Sequence, residues 1–345
     1  VAMTRVLQAM AGARHGGAEA FFERLVPALH DAGLEQEVLV RRNPERAGFL
    51  RACGVELVEL PFGGRLDPIT RYGFRRAVER YKPQVVVTWM NRATRFCPPA
   101  QGKFVHVGRL GGYYKMKNYQ ACDHLIGNTK DIVRHIVESG WPEGRAHYLP
   151  NFVSVNDTEP LPRALHTTPQ EAPLILALGR LHENKGYDVL IRAMADLPHA
   201  YLWLAGEGPL RAELEKLTVQ VGVRPRVRFL GWCGDSTPLF GAADMLICPS
   251  RHEPLGNVVI EGWAHDMPVI ATQSEGPGAL ISHDCSGLLV PVDEPHALAK
   301  AIKRLCANPG LMRNIVQGGR KRYEKDFTES VVVGCYMRLL KKVAL

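Results

Sequence analysis

Two carboxylates eight residues apart, Glu253 and Glu261, enclose a proline, a glycine and an apolar run in Glu253-Pro254-Leu255-Gly256-Asn257-Val258-Val259-Ile260-Glu261. An apolar strand pattern, Met245-Leu246-Ile247-Cys248, leads into them through Pro249-Ser250-Arg251-His252. This order predicts Glu253 on the loop after the strand, Gly256 opening a helix, and Glu261 about one turn inside it at ~3.6 residues per turn. The first N–H groups of a helix lack intrahelical acceptors and lie at the positive end of its dipole, which suits a phosphate. Glu253 would then accept from sugar hydroxyls at the mouth and Glu261 from a ribose. Taken alone, the same residues also read as a strand, a turn and an amphipathic helix carrying two solvated carboxylates.

Arg180 and Lys185, five residues apart after another apolar run, offer a second piece of chemistry. A departing diphosphate needs cations, and a guanidinium fork beside an ammonium point charge would supply them. Solvated surface charge is the plainer reading of the pair. Gly206-Glu207-Gly208 is a phosphate turn or simply a tight turn.

The elements that must hold these residues are strands and helices in alternation. Trp263 to Thr272 reads as a helix end followed by a buried strand, so the carboxylate loop crests a β-α-β unit, where open α/β sheets bind ligands. Leu174–Leu178, Tyr201–Leu204, Val227–Leu230, Met245–Cys248, Pro268–Ala271 and Gly287–Val290 form one strand series, with helices from His296 and Leu311. Arg5–Met10, Val38–Val40, Val55–Leu60, Val85–Trp89, Lys103–Gly108 and Cys122–Asn128 form an earlier one. Alternation of this kind implies parallel sheets covered on both faces. A length of 345 residues favours two domains. The polar, proline-rich stretch 154–173 reads as their linker.

These motifs together resemble the retaining nucleotide-sugar glycosyltransferases of GT-B fold, family 4, also called glycosyl transferases group 1. Glu253 and Glu261 are similar to the family's E-x7-E pair. Gly179-Arg180 with Lys185-Gly186 is similar to its GR-x-x-x-x-KG, and Gly206-Glu207-Gly208-Pro209 to its Gly-x-Gly-Pro turn. Val227–Gly231 and Ala242-Ala243-Asp244 follow in family order. The resemblance spans residues 174–307 closely and the whole chain loosely. One departure is Ala279, which stands after Gly276-Pro277-Gly278 where many relatives carry a glutamate.

The resemblance implies two Rossmann-like domains with parallel sheets facing a cleft. An acceptor-binding domain would span 1–153, a nucleotide-sugar domain 154–327, and the last segment, 328–345, would pack back on the first. It implies transfer of a hexose from a UDP- or GDP-sugar to a hydroxyl of a glycan, with retention, in lipopolysaccharide or other cell-surface glycan synthesis. Glu253, Arg180, Lys185 and His106 would be catalytic, His106 by standing at a strand end. The donor would meet Gly16, Gly17, Arg180, Lys185, Gly206, Leu230, Trp232, Glu253, Leu255, Gly256, Asn257, Val258 and Glu261. The acceptor would meet Arg14, His15, Arg109 and Tyr113. No cofactor and no metal are expected, because basic side chains and a helix end take the metal's place. The Gly16-Gly17-Ala18-Glu19 stretch resembles the family's GG-x-E loop.

Composition bounds the alternatives. The chain is 46% apolar and 23% charged, ordinary for a globule, and no run approaches the ~20 apolar residues of a membrane span. The eight cysteines include no C-x-x-C, which argues against zinc and for reduced cytosolic thiols. The start lacks a signal-peptide pattern, so a cytoplasmic protein, peripheral on the inner membrane face, is expected. Residues 1–153 hold 22 Lys and Arg against 14 Asp and Glu, and the remainder balances, so the whole excess of +8 lies in the first half. Such asymmetry suits an anionic partner. Arg65, Arg71, Arg75, Arg76 and Arg80 beside Leu66, Ile69, Tyr72 and Phe74 suit an anionic membrane carrying a glycolipid acceptor. A nucleotide-sugar 2-epimerase on the same fold lacks the extra acid and base residues it would need. A nucleic-acid-binding protein lacks any helix-turn-helix, RNP or zinc pattern.

Overall fold

The structure, a computed structural model, describes residues 4–14, 16–64, 66–155 and 157–344. Two compact units share the chain. Val1–Phe152 with Glu329–Leu345 forms the first and Val153–Thr328 the second.

In the first unit the chain alternates β1 (Val6–Met10), α1 (Gly17–Asp31), β2 (Gln36–Arg41), α2 (Pro44–Ala52), β3 (Leu57–Leu60), α3 (Pro68–Tyr81), β4 (Val85–Trp89), α4 (Met90–Phe96), β5 (Val105–Leu110), β6 (His124–Gly127), α5 (Lys130–Glu138) and β7 (Ala146–Tyr148). The strands pair in parallel in the order β3-β2-β1-β4-β5-β6-β7. Strands β1 and β4 are buried along their whole length, as near-continuous apolar runs require in a sheet covered on both faces. Caps set the helix starts. Asn43 and Asp67 each accept an N–H three residues on, and each precedes a proline, whose fixed φ and missing N–H suit the first helical position.

In the second unit β8 (Leu174–Leu178), α6 (Tyr187–Ala193), β9 (Tyr201–Ala205), α7 (Arg211–Gln220), β10 (Val227–Gly231), α8 (Thr237–Ala242), β11 (Met245–Cys248), α9 (Asn257–Ala264), β12 (Val269–Thr272), α10 (Glu275–Leu280), β13 (Leu288–Val290), α11 (Pro295–Cys306) and α12 (Pro309–Asp326) follow. Their parallel order is β10-β9-β8-β11-β12-β13. The last helix, α13 (Glu329–Val343), returns to the first unit and buries Val332, Val333, Tyr336, Leu339 and Leu340 in its core with Phe21, Phe22 and Leu25 of α1.

Three expectations are corrected by packing. Residues 154–173 are not a free linker, because they dock on the second unit. Arg163 donates to Asp244 Oδ1 (2.8 Å) and to the Ala242 carbonyl (2.8 Å), and Trp203 Nε1 donates to Thr168 Oγ1 (3.0 Å). Phe74 does not join the exposed row of α3. It points inward and is fully buried with Phe62 and Phe96. Arg80 is not a free surface cation, since its guanidinium pairs with the buried Glu37 of β2.

Candidate active site

Each sheet reverses its strand order at one point, between β1 and β4 in the first unit and between β8 and β11 in the second. The loops leaving the carboxyl ends of such a strand pair diverge and leave a crevice. In the second unit these loops carry Gly179 to Gly186 and Pro249 to Gly256.

Backbone contacts lock the two loops together. Arg251 N donates to the Asn184 carbonyl at 2.8 Å, and His252 N to the same oxygen at 3.2 Å. Gly186 lies at φ +60°, and a Cβ there would stand 2.1 Å from the Pro249 carbonyl oxygen, so the close approach depends on glycine. Arg251 supplies the side-chain half of the clamp. It grips Asp188 with two nitrogens (2.8 and 2.7 Å) and Asp293 with Nε (2.6 Å), and the first of these bonds, with the neighbouring charges, raises its pKa.

The clamp places Lys185 against Glu253, and their side chains form an ion pair. The lysine side chain is 27% exposed and the glutamate side chain 13%, so the pair is sheltered yet reachable. Burial opposes the lysine charge, but Glu253, with smaller help from Cys248 and Glu261, holds the Lys185 pKa above its ordinary value. The other oxygen of Glu253 accepts from Gly256 N at 3.3 Å, where α9 begins. Leu255 is buried, Asn257 and Val258 stand half-buried in the first turn, and Glu261 follows one turn in. Arg180 is exposed on the loop after β8 and makes no ion pair among the described residues. The structure therefore brings Lys185, Glu253, Leu255, Gly256, Asn257, Val258 and Glu261 around one loop-and-helix end.

Sequence reasoning missed Glu275. It opens α10 at the end of β12, and its carboxylate accepts from Glu253 N (3.2 Å) and pairs with His252 Nδ1 (2.7 Å). Burial works against its charge, but its own backbone N–H and His252 outweigh that and lower its pKa. Gly276 N returns a bond to the Glu253 carbonyl at 2.7 Å. Glu253 is thus held from below by a glutamate a few residues before Ala279. Its signal was available, since an acidic residue at a strand end followed by glycine and proline stands in the same row as Glu253.

Gly206 serves the scaffold. Its φ is +142°, and a Cβ would meet the Gly179 carbonyl oxygen at 2.0 Å, because the loops after β8 and β9 touch there. Leu230 is half-buried at the end of β10, and Trp232 just beyond it is exposed.

In the first unit, Gly16 and Gly17 begin α1 after β1. Glu19 of that stretch is buried, accepts from Ala13 N at 2.7 Å and packs against Gly12 and Gly16, so it braces the loop. Arg14 pairs in the open with Glu45 at 2.7 Å. Tyr113 donates to Asp131 and packs edge-on against His135. His15 and Arg65 lie outside the described residues.

Two expectations fail here for reasons of position. His106 is the second residue of β5, not its end, because the strand continues to Leu110. Its ring is buried, with Nε2 2.9 Å from Thr88 Oγ1 and Nδ1 3.1 Å from the Ala121 carbonyl, and burial lowers its pKa to about 4. Arg109 is buried as well. Nε donates to Tyr336 Oη (2.8 Å), a terminal nitrogen donates to Asn151 Oδ1 (2.6 Å), and the guanidinium lies 4.2 Å from the centre of the Trp89 ring. It ties β5 to α13 and is not exposed to an acceptor.

The family described as glycosyl transferases group 1 matches residues 172–308. Across 95% of both chains, this one is 35% identical to the lipopolysaccharide core biosynthesis glycosyltransferase LpsD of Rhizobium meliloti. It is 34% identical to LpsE of the same organism, over 95% of this chain and 96% of the other. Among solved structures, that of Anabaena Alr3699/HepE in complex with UDP and glucose superposes with a TM-score of 0.84 at 19% identity, covering 98% of this chain and all of that one.

Proposed function

This chain belongs to the group 1 glycosyl transferases and has the GT-B fold, and from that premise we propose that it moves a hexose from a nucleotide sugar to a glycan hydroxyl with retention at the anomeric carbon. One observation carries the reading: the Lys185–Glu253 pair stands beside the N-terminus of α9, at the strand-order reversal of the second unit. A diphosphate offered to this site replaces Glu253 as the partner of Lys185. The freed carboxylate turns to sugar hydroxyls, and the α9 N–H groups face phosphate oxygens. Glu261 takes the ribose.

In the reaction the bond from the anomeric carbon to the phosphate oxygen breaks. The acceptor oxygen forms its bond on the same face, and its proton passes to the leaving phosphate oxygen. Lys185 and Arg180 stabilise the charge that develops there, without a metal. Glu275 and Arg251 act through others, by holding the Glu253 backbone and the two loops.

The acceptor is a core oligosaccharide of a lipopolysaccharide or a related lipid-linked glycan. Support comes from the LPS-core relatives and from the charge excess of the first unit. No helix among the described residues is long and apolar enough to cross a membrane. Contact with the membrane would instead be peripheral, through the exposed Leu66, Ile69 and Tyr72 beside Arg75 and Arg76.

The test is incubation with UDP-hexoses and GDP-mannose in the presence of a truncated core oligosaccharide, with and without EDTA. NMR of the product gives the anomeric configuration. Transfer with retention, indifferent to EDTA, is expected. An inverted linkage, or activity lost to chelation and restored by Mg²⁺ or Mn²⁺, would overturn the mechanism.

A further inference from the structure

A cavity of about 420 Å³ in the first unit is lined by Arg71, Arg95, Phe96, Lys117 and Asn118. Three elements build it: Arg71 comes from α3, Arg95 and Phe96 from the last turn of α4, and Lys117 and Asn118 from the 3-10 turn Met116–Asn118 after β5. Among the described residues, three of the five lining side chains are cations and none is a carboxylate. Arg95 and Lys117 are exposed and make no ion pair among the described residues. The Arg71 guanidinium lies 5.7 Å from the centre of the Phe96 ring.

Like charges gathered around one concavity repel unless an anion joins them. Guanidinium forks and an ammonium are the side chains that grip phosphate and carboxylate oxygens. Size and polarity say more. At ~30 Å³ per water the cavity has room for about fourteen, enough for a sugar ring with a charged substituent and far more than a lone oxyanion needs. Asn118 donates its amide to Asn91 Oδ1 (3.3 Å), which leaves its own carbonyl oxygen to accept from a hydroxyl. A purely anionic ligand has no use for that acceptor, but a sugar does.

We infer that this cavity binds a sugar carrying a phosphate or carboxylate group, as the anionic residue of the acceptor glycan. The assignment to the acceptor rests on the glycosyltransfer reading above, whereas the binding of an anionic sugar rests on the cavity alone.

Glucose 6-phosphate, glucose and inorganic phosphate are titrated into the whole chain by calorimetry at low salt, against wild type, Arg95→Gln/Lys117→Gln and Lys103→Gln, an exposed cation outside the cavity. Melting curves check folding. Glucose 6-phosphate is expected to bind wild type and Lys103→Gln alike, and to bind the double variant about tenfold more weakly, the worth of two partly exposed charge contacts. Glucose and phosphate alone are expected to fall well below it. Unchanged binding by the double variant overturns the site, and phosphate binding as tightly as the sugar phosphate overturns the saccharide assignment. If glucose 6-phosphate fails to bind while the double variant loses flotation with anionic phospholipid vesicles, the cavity reads a lipid headgroup and the inference falls. Nucleotide release from a nucleotide sugar, measured on the same wild-type sample, separates the two readings. Its absence with sugar-phosphate binding intact counts against glycosyl transfer and for the cavity, and the converse counts against the cavity alone.

Discussion

The two units wind their parallel sheets in the same sense, with β1 and β4 in one standing where β8 and β11 stand in the other, yet they use charge in opposite ways. In the second unit, a lysine and a glutamate from the reversing loops meet within reach of solvent. In the first unit, the loop after β1 is braced by the buried Glu19, and the end of β5 is pinned by the buried Arg109. Net charge divides as well. Counting α13 with the first unit, its 25 basic and 15 acidic residues give +10, while the second unit's 18 and 20 give −2. One unit keeps a neutralised pair within reach of solvent, and it is this pair that the proposed function has a phosphate exchange into. The other spends its inner charges on scaffolding and shows its excess on the outside. The comparison teaches that charge at a sheet's carboxyl end marks chemistry only where the side chain is left something to exchange with.

The sharpest break of this contrast comes from the pair itself. Lys185→Ala is expected to lower turnover by about 10²–10³-fold, the scale of removing one preorganised charge donor, and Glu253→Ala comparably, through lost orientation of the sugar. Glu253→Gln should instead tighten nucleoside diphosphate binding while turnover falls, because Lys185 no longer has a competing carboxylate. Steady-state kinetics with diphosphate inhibition constants reads both effects. Wild-type turnover in Lys185→Ala, or weaker diphosphate binding in Glu253→Gln, would remove the exchange argument.

Next in size is Arg109. Truncation to Ala removes the Arg109 donors to Tyr336 Oη and Asn151 Oδ1 and empties the space between Trp89 and Phe21, so a loss on the order of 3 kcal/mol is expected, visible as a lower unfolding midpoint. An acceptor-binding residue would behave otherwise, with unchanged stability and a raised acceptor KM.

Acid should separate the units further. Burial lowers His106 to about 4, and burial, followed by His124 and Lys342, lowers His147 to about 4. Both lie in the first unit. In the unfolded chain these rings take a proton near 6.5, so between about 4 and 6.5 the unfolded state binds more protons. Stability is therefore full above that window and falls as pH drops through it. In the second unit, among the described histidines, only the partly exposed His166 shifts the same way, again mainly by burial. Hydrogen exchange at pH 5 and 7.5 should show the first unit losing protection first. Equal loss in both units would mean that these rings do not govern acid stability.

How much of this could be read from the chain follows the same division. The strands, the carboxylate loop and the helix after it were legible because each is local: apolar runs, a proline, a glycine, then helical spacing. Glu253 and Lys185 are 68 residues apart, and their pairing was not written anywhere along the chain. It follows from sheet order, which places β8 beside β11. Arg109 and His106 were misread because burial is a property of what packs on top, here α13 and the 119–122 turn, and a strand run of alternating character leaves that open. Arg163 was hidden in a proline-rich stretch whose composition says linker and whose one arginine fastens it down.

The smallest expected effect concerns the outside of the first unit. On α3, Ile69 and Tyr72 are exposed one turn apart, with Leu66 just before the helix, and Arg75 and Arg76 continue the same surface. Removing Phe74 and Arg80 from this patch, as the packing demands, leaves three apolar side chains and a few arginines. Each basic residue near an anionic leaflet contributes about 1 kcal/mol, and a few exposed apolar side chains add a modest amount by burial in the headgroup layer. Attachment is therefore weak and salt-sensitive, since the attraction is screened over about 8 Å at physiological ionic strength. Flotation with vesicles should rise with anionic lipid and fall with salt. Ile69→Ser/Tyr72→Ser should reduce it at every salt concentration, while Arg75→Gln/Arg76→Gln should mainly flatten the salt dependence. Because the second unit is close to neutral, its isolated surface offers no such attraction, and flotation that persists unchanged in both double variants would place the membrane contact away from α3.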